Sequence, residues 1–204
     1  MKTETVALLP CLNRLEVEKE RLGDLLRSDY LDYIANVSNE AMAVSYQTAC
    51  LLLLACEERA PKRILDLGSG FSSLALHRWA QENDALCVSV DNDPKWIEAT
   101  RAFLGDRGIT DPTVLEFRQP WQGEYDLIFD DLAAAEHLRK DSLAAVLDCL
   151  APDGVLILDD VHKKPLRDVA EQIAAHGPFA YHSMRDWTVD NFGRYAGLLV
   201  RDGR

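Results

Sequence analysis

The sequence predicts one α/β domain with a doubly wound, mostly parallel sheet. Short β-rich runs alternate with helical ones from residue 63 onward, which is typical of strand-helix-strand units. Runs such as 127–129 and 155–158 are continuously apolar, as expected of strands covered by helices on both faces. The length of 204 residues, with 48% hydrophobic and 27% charged residues, fits one globular core.

The elements follow in a regular order. An amphipathic helix at 12–26 and a second helix, from Ser38-Asn39 to about residue 59, precede the first strand. The strands are then predicted at 63–67, 86–91, 113–118, 125–130 and 154–159, and the helices between and after them at 72–81, 94–104, 137–150 and 165–176. Two last β-rich runs, 179–184 and 195–200, have only a polar segment between them. We expect them to pair as an antiparallel hairpin.

Charge and composition exclude several partners. There are 22 Lys and Arg against 34 Asp and Glu, a net charge of −12, which would repel nucleic acid. The basic residues Arg139, Lys140, Lys163, Lys164 and Arg167 are expected on solvated helix faces. The apolar runs are too short for a signal peptide or a membrane span, and five widely spaced cysteines favour a reducing cytoplasm.

A glycine loop marks the candidate ligand site. Gly68-Ser69-Gly70 lies between the first strand and its helix, where the backbone passes close to a ligand. A tight turn without a ligand is the alternative. Asp91 ends the second strand, twenty-one residues after Gly70, where an acid binds ribose hydroxyls in such folds. The pair predicts an adenosine-containing ligand.

Two residues favour S-adenosylmethionine over a dinucleotide. The dinucleotide fingerprint has a third glycine where this chain has Ser73. Asp66, two residues before Gly68, would repel a pyrophosphate but balance a cationic sulfonium.

With these motifs the chain resembles the class I S-adenosylmethionine-dependent methyltransferases. The resemblance covers roughly residues 38–200 and rests on the runs 64–70, 88–93 and 125–131 and on the closing hairpin. It implies a Rossmann-like, seven-stranded sheet of order 3-2-1-4-5-7-6 in a domain of residues 38–204, with residues 1–37 as a helical segment packed on it. The cofactor-binding residues it implies are Met42, Ser45, Asp66, Gly68, Ser69, Gly70, Phe71, Ser73, Asp91, Asn92, Trp121 and Asp130.

Within the class, the chain looks most like the catechol O-methyltransferase-like group. Met42-Ala43-Val44, with Ser45 and Thr48, is expected on the helix before the first strand and lining the methyl-donor pocket. Ordinary core positions are the alternative for Met42 and Val44, and a surface groove is the alternative for Trp121.

Four carboxylates are expected at the carboxyl edge of the sheet, two each after neighbouring strands. Asp130-Asp131 and Asp159-Asp160 would meet there, and oxygen-rich clusters suit Mg²⁺ or Ca²⁺, although helix capping or exposure is the alternative. The resemblance implies Asp131, Asp159 and Asp160 as metal ligands. A metal there would lower the pKa of an acceptor hydroxyl.

Two departures from the group bear on catalysis. Its lysine would fall three residues after Asp131, where this chain has Ala134. Asp131, His162 and His137 remain as catalytic candidates, beside Glu136, and each histidine has a structural or exposed alternative. The second departure is the short connection 119–124, which leaves no room for the helix that the group usually has between these two strands.

Aromatic residues outside these motifs are candidates for the substrate pocket. Trp187 and Phe192, in the loop 186–193, could form a wall of that pocket. Tyr30 and Tyr33 could form a lid over it, or dock their helix against the sheet.

The sequence therefore predicts a cytoplasmic enzyme that methylates a small molecule, most simply at oxygen, with S-adenosylmethionine, and it leaves Mg²⁺ or Ca²⁺ open as a second cofactor. It predicts no nucleic-acid or membrane partner and leaves a homodimer open. A nicotinamide-dependent oxidoreductase and a methyltransferase-fold binding protein without catalysis are the alternatives.

Overall fold

The computed structural model describes residues 6–117, 123–132 and 136–202. After a 3₁₀ helix at Pro10–Asn13, the helices are α1 (Lys19–Asn36), α2 (Tyr46–Arg59), α3 (Phe71–Glu82), α4 (Pro94–Gly105), α5 (Glu136–Asp148), α6 (Lys164–His176) and α7 (Arg185–Thr188). The strands are β1 (Arg63–Leu67), β2 (Leu86–Asp91), β3 (Thr113–Glu116), β4 (Tyr125–Asp130), β5 (Leu150–Leu158), β6 (Phe179–Ser183) and β7 (Gly197–Arg201).

The seven strands form one sheet with the order β3-β2-β1-β4-β5-β7-β6. The first five pair in parallel, and β7 pairs antiparallel with both β5 and β6. The predicted fold class, strand order and closing hairpin are confirmed. The order reverses between β1 and β4, so the loops after these strands diverge and leave a crevice at the carboxyl edge.

Each face of the sheet carries its own apolar core. Leu127 and Phe129 of β4 pack into one core with α2 and α3, whereas Ile128 packs into the other with residues of α5 and α6. Side chains alternate between the faces of a strand, so a continuously apolar strand serves both cores. Among the described residues, no helix is long and apolar enough to cross a membrane.

Several elements differ from the predictions. The first long helix runs over Lys19–Asn36 instead of 12–26, because Tyr30 and Tyr33 extend its buried stripe beyond Leu22 and Leu26. The strand predicted at 154–159 begins earlier, at Leu150, with an irregularity in its pairing to β4. The segment predicted without a helix contains the single turn α7.

The second helix also begins later than predicted, at Tyr46 instead of Ser38-Asn39. Ser45 has an extended backbone, and its Oγ accepts a hydrogen bond from the Thr48 amide at 3.0 Å, which is an N-cap. The Asn39 side chain accepts hydrogen bonds from the amides of Ala41 and Met42 and holds the preceding residues in a turn. Met42 therefore lies in a loop before the helix.

Helix α1 is bound to the sheet-covering helices by charges and aromatic rings. Asp29 contacts Arg78 of α3 at 2.9 Å and Arg107, after α4, at 3.1 Å. The Tyr33 ring lies 5.6 Å from that of Phe71 and 4.8 Å from that of Phe103, measured between centroids. These contacts place the C-terminal part of α1 beside the glycine loop.

Candidate active site

The glycine loop is shaped by close contact with the end of β4. Gly68 has φ +102°, and a Cβ added there would lie 2.2 Å from the Asp131 carbonyl oxygen. The Gly68 amide donates to the Val90 carbonyl at 2.9 Å, and the Asp131 amide donates to the Leu67 carbonyl at 2.6 Å. Only glycine combines this conformation with this close approach. The loop is thus fixed between β2 and β4.

Asp66 lies behind the loop in a buried polar network. Its carboxylate accepts hydrogen bonds from the hydroxyls of Ser72 at 3.0 Å, Ser73 at 2.5 Å and Ser89 at 2.6 Å. Burial raises the pKa of Asp66 to about 6, and the three hydroxyls oppose that rise. Ser73 Oγ in turn accepts from the Gly70 amide at 3.1 Å. Asp66 therefore orients the loop through Ser73.

Asp91 connects the end of β2 to the same loop. One carboxylate oxygen accepts from the Ser69 amide at 2.9 Å and from its hydroxyl at 3.2 Å, and the other accepts from the Asp93 amide at 3.0 Å. The Trp96 indole donates to the Ser69 carbonyl at 2.5 Å. A carboxylate has about four acceptor positions, so Asp91 retains capacity for a ligand hydroxyl.

A cavity of about 270 Å³ opens between the loop, the end of β2 and the segment before α2. Its wall combines loop backbone, carboxylates and apolar or aromatic side chains, as in small-molecule sites. The lining residues are Tyr33, Met42, Ala43, Val44, Gly68, Ser69, Gly70, Phe71, Ser72, Asp91, Asn92, Asp93, Trp96, Asp131 and Leu132.

Several predicted cofactor residues line this cavity, and others do not. Those on its wall are Met42, Gly68, Ser69, Gly70, Phe71, Asp91 and Asn92, whereas Ser45, Asp66, Ser73 and Asp130 are buried away from it. Ser45 caps α2 instead, which corrects the expectation that it faces the pocket. Trp121 lies outside the described residues.

Trp96, Asp93 and Leu132 also line the first cavity, although they were not among the predicted cofactor-binding residues. The position of Trp96, in the first turn of the helix after Asp91, is the signal that would have identified it, because that turn begins at the predicted ribose end of β2. Leu132 reaches the cavity only through the close approach of β4 to Gly68.

A second cavity, of about 380 Å³, adjoins the first and shares Met42 and Asp131 with it. Its other lining residues are Ala41, Asp159, Asp160, His162, Lys163, Phe192 and Arg194. Phe192 thus lines a cavity as predicted, whereas Trp187 packs against the core. A ligand in the first cavity would therefore meet a ligand in the second cavity beside Met42 and Asp131.

Arg194, which lines the second cavity, links two segments of the chain. Its guanidinium contacts Asp190 at 2.7 Å and donates to the carbonyls of Glu40, Ala41 and Ala43 at 2.8–3.0 Å. These bonds use the fork geometry of arginine, which a lysine lacks. Arg194 therefore holds the segment before α2 against the loop after α7.

The acidic edge of the sheet contains a buried arginine. Arg139 was expected on a solvated helix face, but its side chain is only 1% exposed. Its Nη2 donates to the main-chain carbonyls of Asp130 and Asp159, both at 2.7 Å, and its Nε lies 3.1 Å from Asp130 Oδ1. The expectation is therefore wrong for Arg139, because a carboxylate and two carbonyls compensate its burial.

The predicted metal ligands do not form a metal site in the described part of the chain. No three His, Cys, Asp or Glu side chains there are grouped so that they could hold an ion. The Asp160 carboxylate forms an ion pair with Lys163 at 2.7 Å. Burial, and then the Asp160 charge, raises the pKa of Asp159 to about 6, and burial with the charges of Asp159 and Asp160 raises the pKa of Asp131.

The two candidate histidines differ in position. His162 lines the second cavity, with Nδ1 3.5 Å from Asp160 Oδ1. His137 is exposed on α5 and lines neither cavity. Of the two, only His162 borders either cavity. Ala134 lies outside the described residues.

Comparison with known proteins agrees with this geometry. Residues 65–161 match a family model described as a methyltransferase domain. These residues are thus similar to a methyltransferase domain, and the fold of the chain is that of the class I methyltransferases. The predicted resemblance is confirmed, and the matched residues include the glycine loop, Asp91 and the acidic edge.

One curated protein is similar to part of this chain. The O-methyltransferase hkm8 of Aspergillus hancockii is 30% identical over 122 residues, which are 56% of this chain and 48% of that protein. The chain thus spans about half the length of this curated relative.

Solved structures share the fold. The S-adenosylhomocysteine-bound methyltransferase PaMTH1 of Podospora anserina is 20% identical, with a TM-score of 0.68 over 87% of this chain and 88% of that one. The O-methyltransferase TomG of Streptomyces achromogenes, in complex with S-adenosylmethionine, is 21% identical, with a TM-score of 0.69 over 84% and 87%.

Proposed function

We propose that the protein transfers the methyl group of S-adenosylmethionine to an oxygen of a small-molecule acceptor. The observation that carries this proposal is the pair of adjoining cavities that share Met42 and Asp131. Methyl transfer needs a donor site and an acceptor site that meet at one point, and positioning of the reactants supplies much of the rate enhancement. The relatives named as O-methyltransferases support oxygen as the accepting atom.

The first cavity is proposed to hold the methyl donor. Asp91 accepts hydrogen bonds from the ribose hydroxyls, and Asn92 and Trp96 lie beside the adenine. The loop 68–70 brings backbone close to the methionine portion, and Asp66 acts on it through Ser73. The donor supplies a methyl group on a cationic sulfonium.

The second cavity is proposed to hold the acceptor. Phe192 and Met42 form its apolar surface, and Asp131 lies at the junction where the acceptor oxygen meets the methyl group. The oxygen–carbon bond forms as the sulfur–carbon bond breaks. His162 and Asp131 are the groups placed to accept the proton of the acceptor hydroxyl.

A labelled-methyl assay tests this proposal. The purified protein is incubated with methyl-labelled S-adenosylmethionine and a panel of matched small molecules that carry a phenolic hydroxyl, an alcohol or an amine. We expect labelled product from hydroxyl compounds, and loss of it in Asp131→Asn. Binding of the donor without transfer to any compound would overturn the proposal and favour a binding protein. In a parallel assay with NAD, hydride transfer to the nicotinamide would favour an oxidoreductase.

A further inference from the structure

Arg139, the buried arginine at the acidic edge of the sheet, takes no direct part in the proposed reaction. A side chain of Arg is rarely buried unless it is paired, because removing a guanidinium from water costs several kcal/mol. Arg139 is nevertheless 1% exposed, and so is the side chain of its partner Asp130. Arg139 is therefore not a solvated surface charge, and its role must lie in the buried groups that it contacts.

Arg139 joins the ends of the two strands that carry the carboxylates. The single atom Nη2 donates to the Asp130 carbonyl at the end of β4 and to the Asp159 carbonyl just after β5. The Asp159 amide also donates to the Asp130 carbonyl at 2.9 Å. The positive charge is thus built into the sheet edge, directly behind the acidic residues.

A second cation lies on the cavity side. Lys163 Nζ is 2.7 Å from Asp160 Oδ2, and its side chain is 33% exposed. Asp160 has φ +60°, in the left-handed region, and its carbonyl accepts a hydrogen bond from the Lys163 amide at 2.9 Å. This turn holds the lysine beside the carboxylate.

We propose that Arg139 and Lys163 replace a divalent cation in this site, so that the protein binds its methyl donor and transfers the methyl group without a metal. This inference rests on the proposed function. The carboxylates expected to bind an ion are Asp131, Asp159 and Asp160, yet one of them is committed to Lys163, and the strand ends that carry the cluster are joined by Arg139. Oxygen ligands that already have cationic partners are poor ligands for Mg²⁺ or Ca²⁺.

Calorimetric titration of the intact chain with Mg²⁺, Mn²⁺ and Ca²⁺ is the first test. We expect no saturable binding up to about 1 mM, the weak limit of protein calcium sites. We also expect the S-adenosylmethionine affinity to be the same, within about twofold, in chelator and in Mg²⁺. Saturable metal binding that Asp159→Asn abolishes would overturn the inference.

A pair of lysine variants provides the second test. Lys163→Met frees the Asp160 carboxylate, and we expect it to gain at least about tenfold in Mg²⁺ affinity. Lys164→Met is the matched control, because Lys164 is 73% exposed and forms an ion pair with Asp168 instead. Its Mg²⁺ response should equal that of the wild type. Equal Mg²⁺ affinities of the two variants would show that Lys163 does not neutralise the negative charge of the carboxylates, and would overturn the proposal.

Metal binding and methyl transfer are measured independently of each other. The metal titrations test whether Arg139 and Lys163 take the place of a metal ion, and their result does not depend on whether a methyl donor binds. The donor titration and the labelled-methyl assay judge the function, with or without a metal. Arg139→Met is a less direct variant, because loss of a buried cation beside Asp130 is expected to destabilise the fold as a whole.

Discussion

At the scale of single residues, Gly68 most directly determines the shape of the first cavity. Its positive φ and its approach to the Asp131 carbonyl leave no space for a side chain. We expect Gly68→Ala to lower the free energy of unfolding by about 1–3 kcal/mol and to abolish donor binding, because the strained loop must move. Chemical denaturation and calorimetry measure the two effects.

Gly108 is the matched control for this substitution. It also has a positive φ, +75°, but an added Cβ would meet no atom within 4 Å. Gly108→Ala should therefore lower stability while leaving the donor affinity unchanged. Equal loss of affinity in both variants would contradict the role given to the Gly68 contact.

The buried carboxyl of Asp66 predicts a dependence of stability on pH. Its pKa in the folded protein is about 6, above the ordinary value of 3.8, so the folded state binds the proton more tightly than the unfolded state. Its contribution to stability is present at low pH and is lost as the pH rises through 6. Relative to Asp66→Asn, the wild type should lose about 1 kcal/mol between about pH 5.5 and 7.5. Urea denaturation of both proteins at the two pH values measures this, and a constant difference would refute it.

At the scale of elements, α1 is part of the site because Tyr33 is buried between Phe71 and Phe103 and lines the first cavity. We expect Tyr33→Ala to lower stability by about 3 kcal/mol and to weaken donor binding at least about tenfold, since the cavity loses a wall. Tyr33→Phe keeps the ring and should remain close to the wild type. Unchanged donor affinity in Tyr33→Ala would exclude α1 from the site.

The loop before α2 depends on the Arg194 fork. In Arg194→Lys the charge beside Asp190 remains, but the three carbonyl contacts cannot all form. We expect the affinity for the donor and the affinity for the acceptor each to fall by about tenfold, because Met42 borders both cavities. Arg185→Lys, on the neighbouring helix, should leave both affinities unchanged, and an effect as large there would count against this role of Arg194.

The elements show which parts of the site are predictable from sequence. Strands and the glycine loop follow from apolar runs and glycine spacing, which are local signals, and so does the Asp91 position. The start of α2 at Tyr46 does not, because it depends on the side-chain cap of Ser45 competing with a longer helix. Arg139 is buried only because two strand ends meet beside it, and that contact joins residues twenty apart in the chain.

At the scale of the whole molecule, the reversal of strand order between β1 and β4 produces the crevice in which both cavities lie. The sheet supplies the fixed geometry, and the segments before α2 and after α7 supply the walls that distinguish one acceptor from another. The fold is shared with proteins of about 20% identity, so we expect the proposed acceptor to be selected by these walls and not by the sheet.

Calorimetric titration of the intact protein with S-adenosylmethionine, and in parallel with NAD, shows which ligand the first cavity binds. We expect saturable, one-to-one binding of S-adenosylmethionine at micromolar concentration, weakened at least about tenfold by Asp91→Ala, with no comparable binding of NAD. Preferential binding of NAD, or binding of S-adenosylmethionine that Asp91→Ala leaves unchanged, would contradict the assignment of the first cavity and the function built on it.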